Sequence, residues 1–133
     1  MKKIGIVYGT FHDKEIEQML GFARAEARDC NLEIIAEISV PGSVEAPLAA
    51  KRLLEAGDVE GVVLLGIIER GETKHGLVMG QSLMTCAMQL SMEYMKPVTM
   101  GVLGPGILPE QFLPRLEGYA RKAVWAQAQM LAQ

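Results

Sequence analysis

Residues 70–75 (RGETKH) combine the residue types that bind a phosphate group and move a proton. They follow an apolar run, GVVLLGII at residues 61–68, that predicts a strand buried on both faces. A helix beginning near Thr73 would present unpaired main-chain N–H groups and a helix dipole to an anion. The Thr73 hydroxyl would add a hydrogen-bonding group, and His75 could transfer protons to a substrate held there. This segment predicts a phosphate site beside a proton carrier.

His75 and two candidate residues from other turns, Phe11 and Glu45, also have purely structural interpretations. A single histidine at a helix start is more often a surface residue than a catalyst. Phe11 could anchor a loop on the core, and Glu45 could stabilise the first turn of its helix. We expect the side chains of Glu72 and Lys74 to be solvated.

The elements that must position these residues alternate along the chain between strand and helix patterns. The predicted strands are IGIVYG, LEIIAEISV, GVVLLGII and PVTMGVL. A helix follows each strand: Ser43 is expected to cap the second, the third runs from about Thr73 to Tyr94, and the fourth from about Pro109 to Ala132. This alternation predicts a flavodoxin-like, three-layer α/β/α sandwich with a four-stranded parallel sheet in the order 2-1-3-4. We expect residues 1–133 to form a single domain.

Four predicted turns follow the four strands: YGTFHD, VPGSVE, IERGETKH and VLGPGIL. In parallel α/β sheets, ligands bind beyond the carboxyl ends of the strands, where such turns meet. The pattern therefore predicts one cleft that offers an aromatic platform, a carboxylate, a helix start and an imidazole. Its candidate residues are Phe11, His12, Ser43, Glu45, Arg70, Thr73, Lys74 and His75.

Composition excludes several classes of function. The formal net charge of −3 gives no general electrostatic attraction to nucleic acid or to anionic membranes. Cys30 and Cys86 stand singly, without the ligand cluster that a structural zinc site needs. The longest apolar run is too short to cross a bilayer, and the first residues do not form a signal peptide. We expect a cytoplasmic protein without a structural zinc site.

Two motifs, VPGSVEAPLAAKRL and GIIERGETKH, resemble those of the 6,7-dimethyl-8-ribityllumazine synthases, which catalyse the penultimate step of riboflavin biosynthesis. The similarity extends to IGIVYGTFHD and KPVTMGVLGPG, so it spans nearly the whole chain. The GPG segment resembles archaeal members of that family. The resemblance implies a transferase that condenses 5-amino-6-ribitylaminouracil with 3,4-dihydroxy-2-butanone 4-phosphate. It also implies that the reaction needs no metal and no cofactor.

The resemblance also implies residue roles. Phe11 would stack on the pyrimidinedione, while main chain near Ser43 and the Glu45 carboxylate would hold its ring and ribityl chain. His75 would transfer protons, and Arg115 would clamp the phosphate, commonly across a subunit boundary. Further contacts would come, for the ring and ribityl chain, from Val44, Ile67, Ile68 and Met100, and for the phosphate from Gly71, Glu72 and Thr73.

A row of methionines on the third predicted helix indicates self-association. One small domain can hardly bury them all, so part of this helix is expected to contact another copy of the chain. The resemblance implies a pentamer, or an assembly of pentamers, with active sites between neighbours. The row consists of Met79, Met84, Met88, Met92 and Met95.

Some positions depart from the family pattern. Val44 stands where most members have an aromatic residue, His12 replaces an asparagine, and Gly76-Leu77 replaces a bulky-acidic pair. Met100 occupies a position that is aromatic in many bacterial members. These departures keep open a flavin- or lumazine-binding paralogue without turnover. A related archaeal-type riboflavin synthase also stays open, because it shares the fold, although it usually lacks the RGETKH motif.

Overall fold

The computed structural model describes residues 1–133 and confirms the predicted alternation of strands and helices. The strands are β1 (Lys2–Gly9), β2 (Leu32–Val40), β3 (Gly61–Glu69) and β4 (Val98–Ile107). The helices are α1 (Asp13–Asp29), α2 (Ala46–Ala56), α3 (His75–Tyr94) and α4 (Leu113–Leu131), and a 3-10 turn (Pro109–Gln111) precedes α4.

The four strands pair in the order β2-β1-β3-β4, and every pairing is parallel. The sheet order and the internal position of β1 therefore confirm the predicted topology. Since all four strands point the same way, their carboxyl ends lie at one edge of the sheet, where the predicted site should be.

The core consists of two layers, one on each face of the sheet. Alternate residues of β3 point to opposite faces, as the period of a strand requires. Val63 and Leu65 pack on the side of α1 and α4, whereas Val62 and Leu64 pack on the side of α2 and α3. The structure is thus an α/β/α sandwich, and no helix in it is both long enough and apolar enough to cross a membrane.

Three predicted helix boundaries need correction. Ser43 does not cap α2, because residues 43–45 form a turn whose Glu45 N–H donates to Gly42 O at 3.2 Å, and the helix begins at Ala46. The third helix begins at His75 instead of Thr73. The predicted fourth helix is divided, since Phe112 N–H donates to Pro109 O in a 3-10 turn before α4 begins.

Strand β4 also runs further than the sequence indicated. The GPG segment, predicted as a free turn, belongs to the strand, which pairs Ile107 with Glu69 after a register shift. Gly104 and Gly106 have φ values of +91° and +88°, which are costly for residues with a side chain. These two glycines let the strand bend and still rejoin β3, where Arg70 N–H donates to Ile107 O at 2.8 Å.

The methionine row on α3 divides between core and surface. Met79 packs against the core layer beneath the helix. The remaining four side chains are at least 54% exposed: Met84, Met88, Met92 and Met95. Helix α3 therefore buries one face on the sheet and leaves an apolar strip of methionines uncovered.

Candidate active site

The first two turns meet through Phe11. Its ring lies against the main chain of the VPGSVE turn, since a Cβ atom at Gly42 would be 3.2 Å from a Phe11 ring carbon. The same Cβ would be 3.5 Å from Glu45 Oε1, so the ring and the carboxylate flank one glycine. Phe11 is 69% exposed, so its ring is available to a ligand instead of anchoring the loop in the core.

Ser43 and Val44 belong to the same turn as Gly42 and Glu45, and together with Phe11 they form one wall of the candidate site. A Cβ atom at Gly66 would lie 3.9 Å from Ser43 Oγ, which places the serine over the end of the central strand. Val44 is 66% exposed. Ile67 and Ile68 are almost fully buried, on opposite faces of the sheet, so they offer a ligand main-chain groups and not side chains.

The RGETKH segment encloses a cavity of about 530 Å³ beyond the end of β3, which we call the RGET cavity. Its lining combines charged side chains with main chain from glycines: Glu69, Arg70, Gly71, Glu72, Thr73, Lys74, Gly76, Leu77, Pro105 and Gly106. Of the residues assigned to phosphate from the sequence, Gly71, Glu72 and Thr73 all lie here. Pro105 and Gly106 come from the GPG segment and form the facing wall.

Thr73 lies two residues before the first residue of α3. Its Oγ1 accepts the main-chain N–H of His75 at 3.2 Å, and the helix begins at that residue. The hydroxyl retains its own proton, which can be donated to an anion in the RGET cavity. The His75 side chain is exposed but is not part of the lining, although its neighbours in sequence, Lys74 and Gly76, are.

Close packing behind the cavity holds its two walls together. A Cβ atom at Gly80 of α3 would lie 2.7 Å from Pro105 Cδ, so the proline ring packs directly on the helix main chain. Likewise, a Cβ atom at Gly104 would lie 2.2 Å from Ile68 O. The cavity therefore depends on glycines that allow β4 to approach α3 and β3.

His12 makes a contact that the sequence did not predict. Its Nε2 lies 3.2 Å from Oε1 of Glu69, and its ring meets the Phe112 ring edge-on with centroids 4.9 Å apart. His12 lies in the turn after β1, and Glu69 is the last residue of β3. The sequence signal for this contact was limited to a histidine and a carboxylate near the carboxyl ends of two strands.

Met100 and Arg115 lie apart from the RGET cavity. They share a groove of about 750 Å³ along β4 and α4, which we call the β4–α4 groove. It also contains Tyr119 and Lys122. Sequence reasoning missed Lys122, although its position seven residues after Arg115 puts both cations on one face of a helix.

No group of three or more His, Cys, Asp or Glu side chains converges on a point that could hold a metal ion. The site instead offers a helix start, a hydroxyl, an aromatic ring and an imidazole beyond the ends of parallel strands. Arrangements of this kind define the α/β proteins that bind small, often phosphorylated ligands at the sheet edge.

Comparison with known proteins identifies the family. The family model of 6,7-dimethyl-8-ribityllumazine synthase matches residues 1–133. This chain belongs to the 6,7-dimethyl-8-ribityllumazine synthase family. The enzyme of that name from Metallosphaera sedula is 40% identical over 128 residues, covering 96% of this chain and 85% of the relative. The enzyme of that name from Staphylothermus marinus is 42% identical over 131 residues, covering 98% and 87%. The predicted family and its archaeal character are thereby confirmed.

Proposed function

We propose that this chain is a transferase of riboflavin biosynthesis that condenses 5-amino-6-ribitylaminouracil with 3,4-dihydroxy-2-butanone 4-phosphate to 6,7-dimethyl-8-ribityllumazine. One observation carries the proposal: in a chain that matches the family along its whole length, the RGETKH segment forms a cavity at the start of α3, beyond the end of β3.

The phosphate of the butanone substrate binds in the RGET cavity. Main-chain N–H groups at Gly71, Glu72 and Thr73 and the dipole of the 20-residue helix α3 favour an anion there. The Thr73 hydroxyl donates one further hydrogen bond, because the lone pair that it gives to His75 N–H leaves its proton free.

The aminouracil binds on the wall formed by the first two turns. Its ring stacks on the exposed face of Phe11, with Val44 beside it. Main chain at Ser43, Ile67 and Ile68 pairs with ring and ribityl oxygens, and the Glu45 carboxylate accepts hydrogen bonds from ribityl hydroxyls. Binding both substrates side by side removes most of the entropic cost of their encounter.

His75 transfers the protons. The 5-amino group of the aminouracil attacks the ketone carbon, and loss of water from the adduct gives an imine. A proton is then removed from C3, the bond between C4 and the phosphate oxygen breaks, and inorganic phosphate leaves. The resulting enol takes up a proton at C4, which makes C4 a methyl group and C3 a carbonyl. The ribitylamino nitrogen closes the ring on the remaining carbonyl, with loss of a second water. The exposed imidazole at the start of α3 would accept and return these protons at the phosphate end of the substrate.

A neighbouring copy of the chain completes the site. Met100 and Arg115 share the β4–α4 groove and not the RGET cavity. We propose that the groove of one chain covers the cavity of the next in a cytoplasmic pentamer, so that Arg115 clamps the phosphate bidentately. The uncovered methionines of α3 would provide apolar contact between chains.

Turnover by the purified protein tests the proposal. With both substrates present, we expect lumazine to accumulate and inorganic phosphate to be released in equal amounts, with neither product when one substrate is omitted. Riboflavin formed from lumazine alone would instead identify a riboflavin synthase. Tight binding of lumazine or riboflavin without turnover would identify a binding paralogue.

A further inference from the structure

His12 links three parts of the sheet edge. It follows β1, its imidazole Nε2 lies 3.2 Å from Glu69 Oε1 at the end of β3, and its ring packs on Phe112 before α4. Phe112 is almost fully buried, so the imidazole rests on a part of the core that does not move easily. The interplanar angle of 71° is the edge-on arrangement that aromatic rings prefer.

The backbone at His12 is held in an unusual conformation. Its φ of 60° and ψ of 53° are left-handed, a conformation that residues with a side chain adopt uncommonly, although asparagine, aspartate and histidine adopt it more often than the others. The structure keeps a histidine there, with its side chain in contact with Glu69 and Phe112. These contacts indicate that the imidazole itself has a role at this position.

Glu69 connects this contact to the RGET cavity, because its carboxylate belongs to the lining. The lining has two carboxylates, Glu69 and Glu72, and two cations, Arg70 and Lys74, so its formal charges cancel. A phosphate dianion in the cavity would be repelled by an uncompensated carboxylate in its lining. The His12 imidazole lies 3.2 Å from Glu69 Oε1, so in its protonated form it pairs with that carboxylate and offsets its charge.

We infer that His12 is a positioning residue that holds the Glu69 carboxylate and offsets its charge, so that the RGET cavity accepts a phosphate. The inference rests on the proposed function, since it takes the phosphorylated ketone as the ligand. His12 acts through Glu69 and does not carry protons to the substrate, because the nitrogen nearest the cavity residues already faces a carboxylate.

Rescue by a second substitution tests this role. His12→Asn keeps a residue that tolerates the left-handed backbone but removes the imidazole. We expect it to raise the KM for the butanone phosphate about 2- to 5-fold, the range of a partly exposed ion pair, with little change in kcat. The double variant His12→Asn/Glu69→Gln should have a KM within about 1.5-fold of that of Glu69→Gln alone, because the carboxylate charge that His12 offsets is gone.

Glu69→Gln alone gives an independent check if His12→Asn folds poorly. We expect this variant to bind phosphate at least as tightly as the parent chain does. Glu93→Gln is the matched control, since Glu93 is also a partly exposed carboxylate in an ion pair, with Lys51 at 3.7 Å. It should leave the KM for the butanone phosphate unchanged.

Calorimetric titration with inorganic phosphate repeats the comparison without turnover. If the unsubstituted chain binds phosphate but forms no lumazine, the proposed function is refuted. The role of His12 can still be tested then, because calorimetry measures phosphate binding without turnover. Three results would overturn the inference: an unchanged KM in His12→Asn, a raised KM that Glu69→Gln does not restore, or weaker phosphate binding by Glu69→Gln alone. If the KM is unchanged and kcat falls in His12→Asn, His12 is a proton carrier instead.

Discussion

The RGET cavity and the β4–α4 groove differ in what forms their walls. The cavity is formed largely by main chain, from the turn after β3 and the bent glycine segment of β4. The groove is formed by side chains that project from β4 and α4, including Arg115, Tyr119 and Lys122. The cavity also contains both signs of charge, whereas the charged side chains of the groove are all positive.

This difference indicates how each region can be altered. A site formed by main chain is lost when the backbone can no longer approach, so its glycines matter most. A site formed by side chains on a helix is lost when one of them is truncated, and the fold survives. The following predictions test this contrast, beginning with the largest expected effect.

Gly104→Ala should disrupt the cavity by lowering the stability of the fold. The new Cβ atom would lie 2.2 Å from Ile68 O, and the φ of +91° is itself unfavourable for alanine. We expect the free energy of unfolding to fall by about 3 kcal/mol or more, as measured by denaturant titration.

Gly106→Ala is the matched control for that change. Its φ of +88° is nearly the same, but a Cβ atom there would meet nothing within 4 Å. It should cost only the conformational strain, about 1–2 kcal/mol. If the free energy of unfolding falls equally in Gly104→Ala and Gly106→Ala, the close approach of β4 to β3 does not support the cavity.

Arg115→Ala should disable the groove without unfolding the chain, because the side chain is exposed. We expect kcat/KM for the butanone phosphate to fall about 100-fold through loss of two charge-assisted hydrogen bonds. Arg115→Lys keeps the charge but not the planar fork, so its loss should be nearer 10-fold. An unchanged KM and rate in Arg115→Ala would show that the arginine does not bind phosphate.

Mixed assemblies test whether groove and cavity come from different chains. Chains carrying Arg115→Ala are unfolded and reassembled with an equal amount of chains carrying His75→Ala. If sites form between neighbours, about a quarter of them join an intact cavity to an intact groove, and activity returns accordingly. Activity that stays at the level of the separate variants would place both halves in one chain.

His75→Ala should slow the chemistry and leave binding intact. We expect kcat to fall about 10- to 100-fold, since approximation of the substrates survives the loss of the proton carrier. The limb of the kcat–pH profile that reports the imidazole should disappear. Thr85→Ala, further along the same helix, is the control and should keep the parent kcat. Full activity with an unchanged pH profile in His75→Ala would reduce His75 to a helix-start residue.

Val44→Phe should have the smallest effect, because it extends an existing surface. Val44 is 66% exposed in the turn against which the Phe11 ring packs, so a second ring there can cover the pyrimidinedione. We expect the KM for the aminouracil to fall about 2- to 5-fold, with Val44→Ala changing it in the opposite direction. Steady-state kinetics at saturating butanone phosphate measure both. If neither substitution moves the KM, Val44 does not contact the ring.

Sequence reasoning succeeded where local patterns are strong. The apolar period located all four strands, and the predicted second strand, LEIIAEISV, matches β2 residue for residue. It failed at element ends, where one hydrogen bond decides the outcome. Ser43 has a suitable side chain for a helix cap, but residues 43–45 form a turn. Helix α2 therefore begins only at Ala46, with Pro47 in its first turn. The helix was predicted to start at about Thr73, but Thr73 precedes it, and its hydroxyl accepts the main-chain N–H of His75, the first helical residue.

The amino-acid sequence alone determined the parallel sandwich and the edge at which Phe11, Glu45 and Thr73 gather. Apolar periodicity and the positions of glycine and proline act over a few residues, and the handedness of crossovers then leaves few topologies. The pairing of His12 with Glu69, and the separation of the Arg115 groove from the RGET cavity, were decided by tertiary structure. Both depend on the side from which distant segments approach one another, and that follows from the packing of helices and the bend of β4, which no local pattern encodes.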